Sequence, residues 1–186
     1  MKNIPFSLPV IDQDVINEMM DTLNNTGWLT SGPKVLSLEQ EIKKYTGTEA
    51  VVCVNSWTSG AMLMLRWFGI GPGDEVIIPA YTYSATALCV LNMGATPVMV
   101  DVLEDFTINP ALLEGAITER TKAIIPVDIA GWPCDYKAIH AIVNSPASKS
   151  KFSPSNTIQA KLGRILIIAD AAHSLGATID NKQAGN

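Results

Sequence analysis

The chain has 186 residues, 47% of them hydrophobic, and a formal net charge of -5 from 13 Lys and Arg against 18 Asp and Glu. That content supplies a substantial core, and an acidic balance with no basic stripe argues against nucleic acid as the main partner while leaving room for a small anion held by backbone amides. With no apolar stretch near the roughly 18 residues of a membrane span, no signal-peptide core in Met1 to Pro9, and three widely spaced cysteines (Cys53, Cys89, Cys134) that fit neither a disulfide framework nor a zinc site, a cytoplasmic protein is expected.

Val15, Ile16, Met19, Met20 and Leu23 recur at helical spacing and stop near Gly27; Val35, Leu38, Ile42 and Tyr45 repeat the pattern up to Gly47. Between them, Gly27-Trp-Leu-Thr-Ser-Gly-Pro33 is a shaped loop, either part of an active site or a tight connector. Short apolar strands are then expected at 50–54, 75–78, 96–101, 122–127 and 164–169. Helices are expected at 58–68, 84–93, 110–117 and 135–143. This alternation predicts an α/β fold with a mainly parallel sheet between helices, because parallel neighbours need crossover connections. Asn144 to Gly163, rich in Ser, Lys, Asn and Pro, reads as a long and mobile surface excursion, and Asp180 to Asn186 as a polar, turn-like end.

In such a sheet the C-terminal strand ends face the ligand crevice. Four of these ends carry groups with chemical potential. Val51-Val-Cys-Val-Asn-Ser-Trp-Thr58-Ser59-Gly60 passes into a helix start, where Thr58, Ser59 and free amides suit a phosphate; helix capping by Ser56 or Thr58 explains the same residues. Tyr83, in Pro79-Ala-Tyr-Thr-Tyr-Ser-Ala, either stacks on a planar ligand or packs under a loop. Gly131-Trp-Pro133, next to Asp128, is similarly open between site loop and connector.

The last end is the most informative. Asp170 follows the most apolar run, Ile165 to Ala169, and precedes Ala171, Ala172 and His173. Read alone, Asp170 is a helix cap and His173 a packed side chain. Read as part of a site, a carboxylate leaving such a strand needs a cationic partner or a proton. Phosphate donors, a stacking ring, a carboxylate and an imidazole together are what a pyridoxal phosphate site calls for.

The same segments, with Met93-Gly-Ala-Thr-Pro-Val98, Val100-Asp101 and Ala169-Asp-Ala-Ala-His173, occur in the order seen in the DegT/StrS group of nucleotide-sugar aminotransferases. The chain resembles these fold-type-I pyridoxal phosphate enzymes over essentially its whole length. The resemblance implies a three-layer PLP-dependent transferase-like large domain, incomplete at its C-terminus. Residues 1–186 would be the N-terminal segment and most of that domain, with the C-terminal small domain absent. It also implies that Thr58 and Ser59 hold the cofactor phosphate, Tyr83 stacks on the ring, Asp170 pairs with the ring nitrogen and His173 approaches the ring oxygen. The implied reaction is transamination of a nucleoside-diphosphate keto sugar with L-glutamate as donor, for amino-sugar or cell-surface polysaccharide biosynthesis, in a homodimer.

The sequence departs from that group in places. Trp57 stands where a small residue is usual, Gly60 where Ala is common and Asp128 where His is usual; the 144–163 excursion looks longer than typical. The Schiff-base lysine is expected beyond this chain, since Lys182 lies in a polar turn without a serine-rich strand end before it. The implied fragment is inactive by itself. A dehydratase of the same group, with histidine at the lysine position, and a non-catalytic regulatory or scaffold relative are the alternatives. A nucleotide-binding Rossmann enzyme ranks last, because no Gly-x-Gly-x-x-Gly follows a strand.

Overall fold

The computed structural model describes residues 8–184, so most of the Met1 to Pro9 reading and the last two residues of the polar end lie outside the described residues. It divides into two compact units, Met1–Tyr45 with Glu49–Cys53 and Thr46–Thr48 with Val54–Asn186. Among the described residues no helix is long and apolar enough to cross a membrane.

In the first unit, α1 (Gln13–Asp21) starts on Asp12, whose carboxylate accepts the Val15 N–H at 3.0 Å. A side-chain oxygen there satisfies one of the donors that the first helical turn leaves open. The helix runs into a wider turn, Thr22–Thr26, and stops at Gly27, where φ is +65°. The helix α2 (Pro33–Thr46) opens on proline, which has no N–H to leave unpaired. Gly32 before it is sterically required, since a Cβ there would lie 2.5 Å from the Trp28 Cβ. Lys34 on α2 pairs with Glu18 and, at 2.7 Å, with Asp21.

The strand expected at 50–54 does not form. That segment is extended without a ladder: the Cys53 N–H donates to the Glu39 carboxylate at 2.8 Å, and Val52 is exposed. A side chain has taken the bond that a neighbouring strand would need.

The second unit holds the sheet. After α3 (Trp57–Trp67) come β1 (Glu75–Pro79), α4 (Ser84–Asn92), β2 (Thr96–Val100), α5 (Leu113–Ala116), β3 (Thr121–Ile124), α6 (Tyr136–Asn144), α7 (Pro146–Lys151), α8 (Thr157–Leu162) and β4 (Leu166–Ile167). The four strands are parallel in the order β2-β1-β3-β4, and a small antiparallel hairpin, β5 (Thr178–Ile179) with β6 (Lys182–Gln183), follows. This is the expected α/β arrangement of a parallel sheet flanked by helices. Every residue of β1 and β3 is buried, as central strands covered on both faces must be. Leu65, Phe68, Ile77, Ile78, Ile124, Ile139 and Ile165 form the core; cutting Ile77 to Ala would cost about 2–5 kcal/mol.

The 144–163 segment differs from expectation. It forms two short helices, each started by a side-chain cap: Ser145 accepts from the Ser148 N–H at 3.1 Å and Asn156 from the Gln159 N–H at 2.9 Å. Gln159 is fully buried, and its side-chain amide and that of Asn156 both donate to the Phe68 carbonyl at the end of α3. Lys122 on β3 reaches the Ser153 carbonyl and lies 5.6 Å from the Phe152 ring centroid. The excursion is therefore packed onto the core.

Candidate active site

The C-terminal ends of the parallel strands and the loops beyond them enclose a cavity of about 230 Å³, walled by Trp57, Thr58, Thr82, Tyr83, Ala85, Thr86, Val127, Asp128, Ile129, Asp170, Ala172 and His173. Four of the five sequence-predicted site residues meet here: Thr58, Tyr83, Asp170 and His173. The fifth, Ser59, does not line the cavity; its N–H donates to Ser56 Oγ at 3.1 Å, and its hydroxyl oxygen accepts from the Ser56 hydroxyl at 3.0 Å. Capping by Ser56 is thus real, and it leaves Thr58 at the mouth of the first helical turn, where backbone amides have no intrahelical partner. Trp57 lines the cavity and packs against the core. A Cβ at Gly60 would sit 3.3 Å from a Val54 methyl, a close approach that the glycine relieves.

Tyr83 holds the N-cap position of α4 through its backbone, with the ring 80% exposed. The Thr82 and Thr86 hydroxyls are 2.9 Å apart, linking the loop to the first turn of that helix. The sequence had pointed to neither threonine.

Asp170 continues the sheet beyond β4. Its N–H donates to the Pro126 carbonyl at 2.8 Å, its carbonyl accepts from the Asp128 N–H at 3.0 Å, and Val127 bridges it in parallel. The carboxylate accepts the Ala172 N–H at 3.1 Å, closing a turn; no helix follows for it to cap. Burial pushes the Asp170 carboxyl above the ordinary aspartate range; the Ala172 amide and His173 oppose that shift, and the nearby Asp128 adds to it. Among the described residues no lysine or arginine forms an ion pair with it. Asp170 is a buried acid that no lysine or arginine answers among the described residues.

His173 is exposed on the cavity side, and its Nδ1 accepts the Ala130 N–H at 3.2 Å. Asp128, whose role was open in the sequence, is 1% exposed and takes three donors: the Cys134 N–H (3.0 Å) and Tyr136 hydroxyl (2.7 Å) on Oδ1, and the Ser174 hydroxyl (2.7 Å) on Oδ2. Burial and Asp128 push the Tyr136 phenol up and the Cys134 thiol up to about 12, so both remain protonated.

These groups suit a flat, anionic, ring-nitrogen ligand. A helix N-terminus with a hydroxyl suits the phosphate, an aromatic edge the ring face, and Asp170 a cationic ring nitrogen that the protein does not itself supply. A volume of about 230 Å³ lies below the roughly 300–1,000 Å³ of most small-molecule sites, so these residues make part of a pocket. A larger hollow of about 800 Å³, walled by Asp105, Trp132, His140, Arg164 and Asp180 among others, contains none of the five predicted residues.

The profile of the DegT/DnrJ/EryC1/StrS aminotransferase family matches residues 9–147. The chain is 38% identical to the Bacillus subtilis spore coat polysaccharide biosynthesis protein SpsC, covering 98% of this chain and 43% of that protein. It is 40% identical to a Shewanella sediminis UDP-4-amino-4-deoxy-L-arabinose--oxoglutarate aminotransferase, covering 93% of this chain and 40% of the relative. Among solved structures it is similar to Streptococcus pneumoniae Spr1654, assigned as a sugar aminotransferase, in its PMP form (TM-score 0.94, 46% identity, 100% of this chain and 46% of that one). The chain spans less than half the length of these relatives.

Proposed function

The chain belongs to the DegT/DnrJ/EryC1/StrS aminotransferase family, and from that membership we propose that it is the N-terminal part of a sugar aminotransferase. It would supply the N-terminal segment and most of the cofactor-binding large domain. The family works with pyridoxal phosphate, and relatives have been solved in PLP and PMP forms. The observation that carries the reading is Asp170, a buried carboxylate with no lysine or arginine paired to it among the described residues, in one cavity with Thr58, Tyr83 and His173.

When bound, pyridoxal phosphate supplies an electron sink for negative charge developing on a substrate carbon. Asp170 would hold a proton on the ring nitrogen, its ion pair with that nitrogen offsetting the cost of burying the carboxylate. Thr58 and the first amides of α3 would bind the phosphate, and Ser59 would act through the cap it shares with Ser56. Tyr83 would cover the ring and exclude water from one side. His173 would donate a hydrogen bond from Nε2 to the ring oxygen. None of the cavity-lining residues is a lysine, so the Schiff-base lysine would have to come from elsewhere in the protein.

The substrate reading is a nucleoside-diphosphate keto sugar with L-glutamate as amino donor, supported by the oxoglutarate aminotransferase among the relatives. Polysaccharide assembly as the destination is supported by the spore coat relative. The dehydratase alternative has weaker support, since the GDP-4-keto-6-deoxymannose-3-dehydratase structure is 26% identical against 46% for Spr1654. A cytoplasmic homodimer completes the reading. Exposed Leu63, Trp67, Leu88 and Leu91 on α3 and α4 offer apolar surface for such pairing, which sedimentation would detect.

The test uses the protein with its remaining half. Incubated with pyridoxal phosphate, L-glutamate and a panel of nucleoside-diphosphate 4-keto sugars, it is expected to release 2-oxoglutarate beyond one equivalent per enzyme only when a keto sugar is present. Loss of the sugar hydroxyl without gain of nitrogen would replace the aminotransferase reading with the dehydratase. A protein that binds no pyridoxal phosphate would overturn both.

A further inference from the structure

We propose that Asp128 is a positioning residue that fixes His173 as the Nε2–H tautomer, by clamping together the two loops between which the imidazole is held. The relevance of this to a cofactor rests on the function proposed above; the clamp itself is a property of the chain.

The first loop is the turn after β3. Ala130 sits at φ +52° and Gly131 at φ +84°, so two successive residues occupy the left-handed region, which is unfavourable for alanine. The turn is closed by the Gly131 N–H on the Asp128 carbonyl at 3.2 Å. Its effect is to point the Ala130 N–H at His173 Nδ1, 3.2 Å away. A backbone amide can only donate, so Nδ1 carries the lone pair, and the proton of the neutral ring resides on Nε2. Nε2–H is then the donor that remains for the cavity.

The second loop is the one that carries His173. It lies against the first so closely that a Cβ on Gly131 would come 3.0 Å from the His173 carbonyl oxygen. Its registration is set by the next residue: Ser174, 1% exposed, donates its hydroxyl to Asp128 Oδ2 at 2.7 Å. Asp128 Oδ1 is occupied from the other side by the Cys134 N–H and the Tyr136 hydroxyl. One buried carboxyl therefore joins the strand end, the turn that addresses Nδ1 and the loop that bears the ring. A purely structural Asp128 would give the same contacts, and the two roles separate at the imidazole.

The chain has two histidines, His140 and His173, so each serves as a control for the other. In the uniformly 15N-labelled chain without cofactor, held above the ordinary imidazole range near pH 6.5, long-range 1H–15N correlation reads the tautomer of each ring. His173 is expected as Nε2–H. Asp128→Asn presents an amide where Oδ2 accepted, and Ser174→Ala removes the hydroxyl alone. Each is expected to lower the tautomer ratio of His173 about fivefold, the factor that one typical net hydrogen bond sustains, with His140 unmoved. A wild-type His173 protonated on Nδ1 overturns the proposal, as does an unchanged tautomer in a folded Asp128→Asn chain. If that variant does not fold, Ser174→Ala decides in the same way. Failure to bind pyridoxal phosphate with the tautomer intact would sink the proposed function and leave the clamp standing.

Discussion

The two ends of the sheet handle buried acid in opposite ways. At the N-terminal end Glu75, the first residue of β1, is 5% exposed and is answered within the chain: Arg120 pairs with it at 2.5 Å and the Thr118 hydroxyl donates to its other oxygen at 2.5 Å. At the C-terminal end Asp170 is nearly as buried but, among the described residues, has no lysine or arginine paired to it: a backbone amide from its own turn and the neighbouring His173 favour its charge, and a second acid, Asp128, opposes it. A carboxylate satisfied internally contributes to the fold. One left without a cation, at the ligand side of a parallel sheet, marks the place where a cationic group from outside belongs.

The contrast breaks most readily at Asp170. In the protein with its remaining half, Asp170→Asn should retain pyridoxal phosphate but lose turnover by about 10²-fold or more, the scale set by removing one preorganised electrostatic partner. Glutamate-dependent 2-oxoglutarate release measures it, and near-normal rates would return Asp170 to a structural role. At the other end Glu75→Ala should lower unfolding stability by about 0.5–1.5 kcal/mol, because the hydrogen bond from the Thr118 hydroxyl is lost. Urea denaturation reads the loss, while the affinity for pyridoxal phosphate, followed by absorbance, should not change; a change there would mean that the two ends are coupled.

The smallest effect is in the cofactor-free chain, where Asp170 works against the fold. Its folded pKa lies above the unfolded value, so the folded state binds the proton more tightly. The corresponding stability is full below the ordinary aspartate value near 3.9 and is lost as pH rises through the raised one. The melting temperature of Asp170→Asn minus that of wild type should therefore climb as pH rises through that raised value and level off above it. A flat difference would show that Asp170 is not desolvated.

Much of the sheet was legible in the sequence, because parallel strands buried on both faces leave short continuous apolar runs: Glu75–Pro79, Thr96–Val100 and Thr121–Ile124 fall within a few residues of expectation. Val51 to Val54 looks the same in sequence but makes no ladder, since Glu39 captures the Cys53 amide. The most apolar run of all, Ile165 to Ala169, gives only Leu166–Ile167 as regular strand. Helices of six residues are too short to show periodicity, which hid Pro146–Lys151 and Thr157–Leu162 among polar residues; only Ser145 and Asn156 signalled their starts. At the site, strand-end logic brought Thr58, Tyr83, Asp170 and His173 to one cavity. Asp128 escaped it because its partners Cys134, Tyr136 and Ser174 are 6, 8 and 46 residues away, distances with no signature in sequence.

The Phe68 carbonyl, which accepts from both Asn156 and Gln159 at separations of 88 and 91 residues, has a consequence for synthesis on the ribosome. At about 5–20 residues per second, the end of α3 waits roughly 5–20 s for the segment that closes it. During that interval α3 is made but its far end is open to fraying. The polar 144–163 stretch thus acts as a late latch, and ribosome-stalled chains ending before Asn156 should be cut by protease near Phe68, whereas chains in which Gln159 has cleared the exit tunnel should resist.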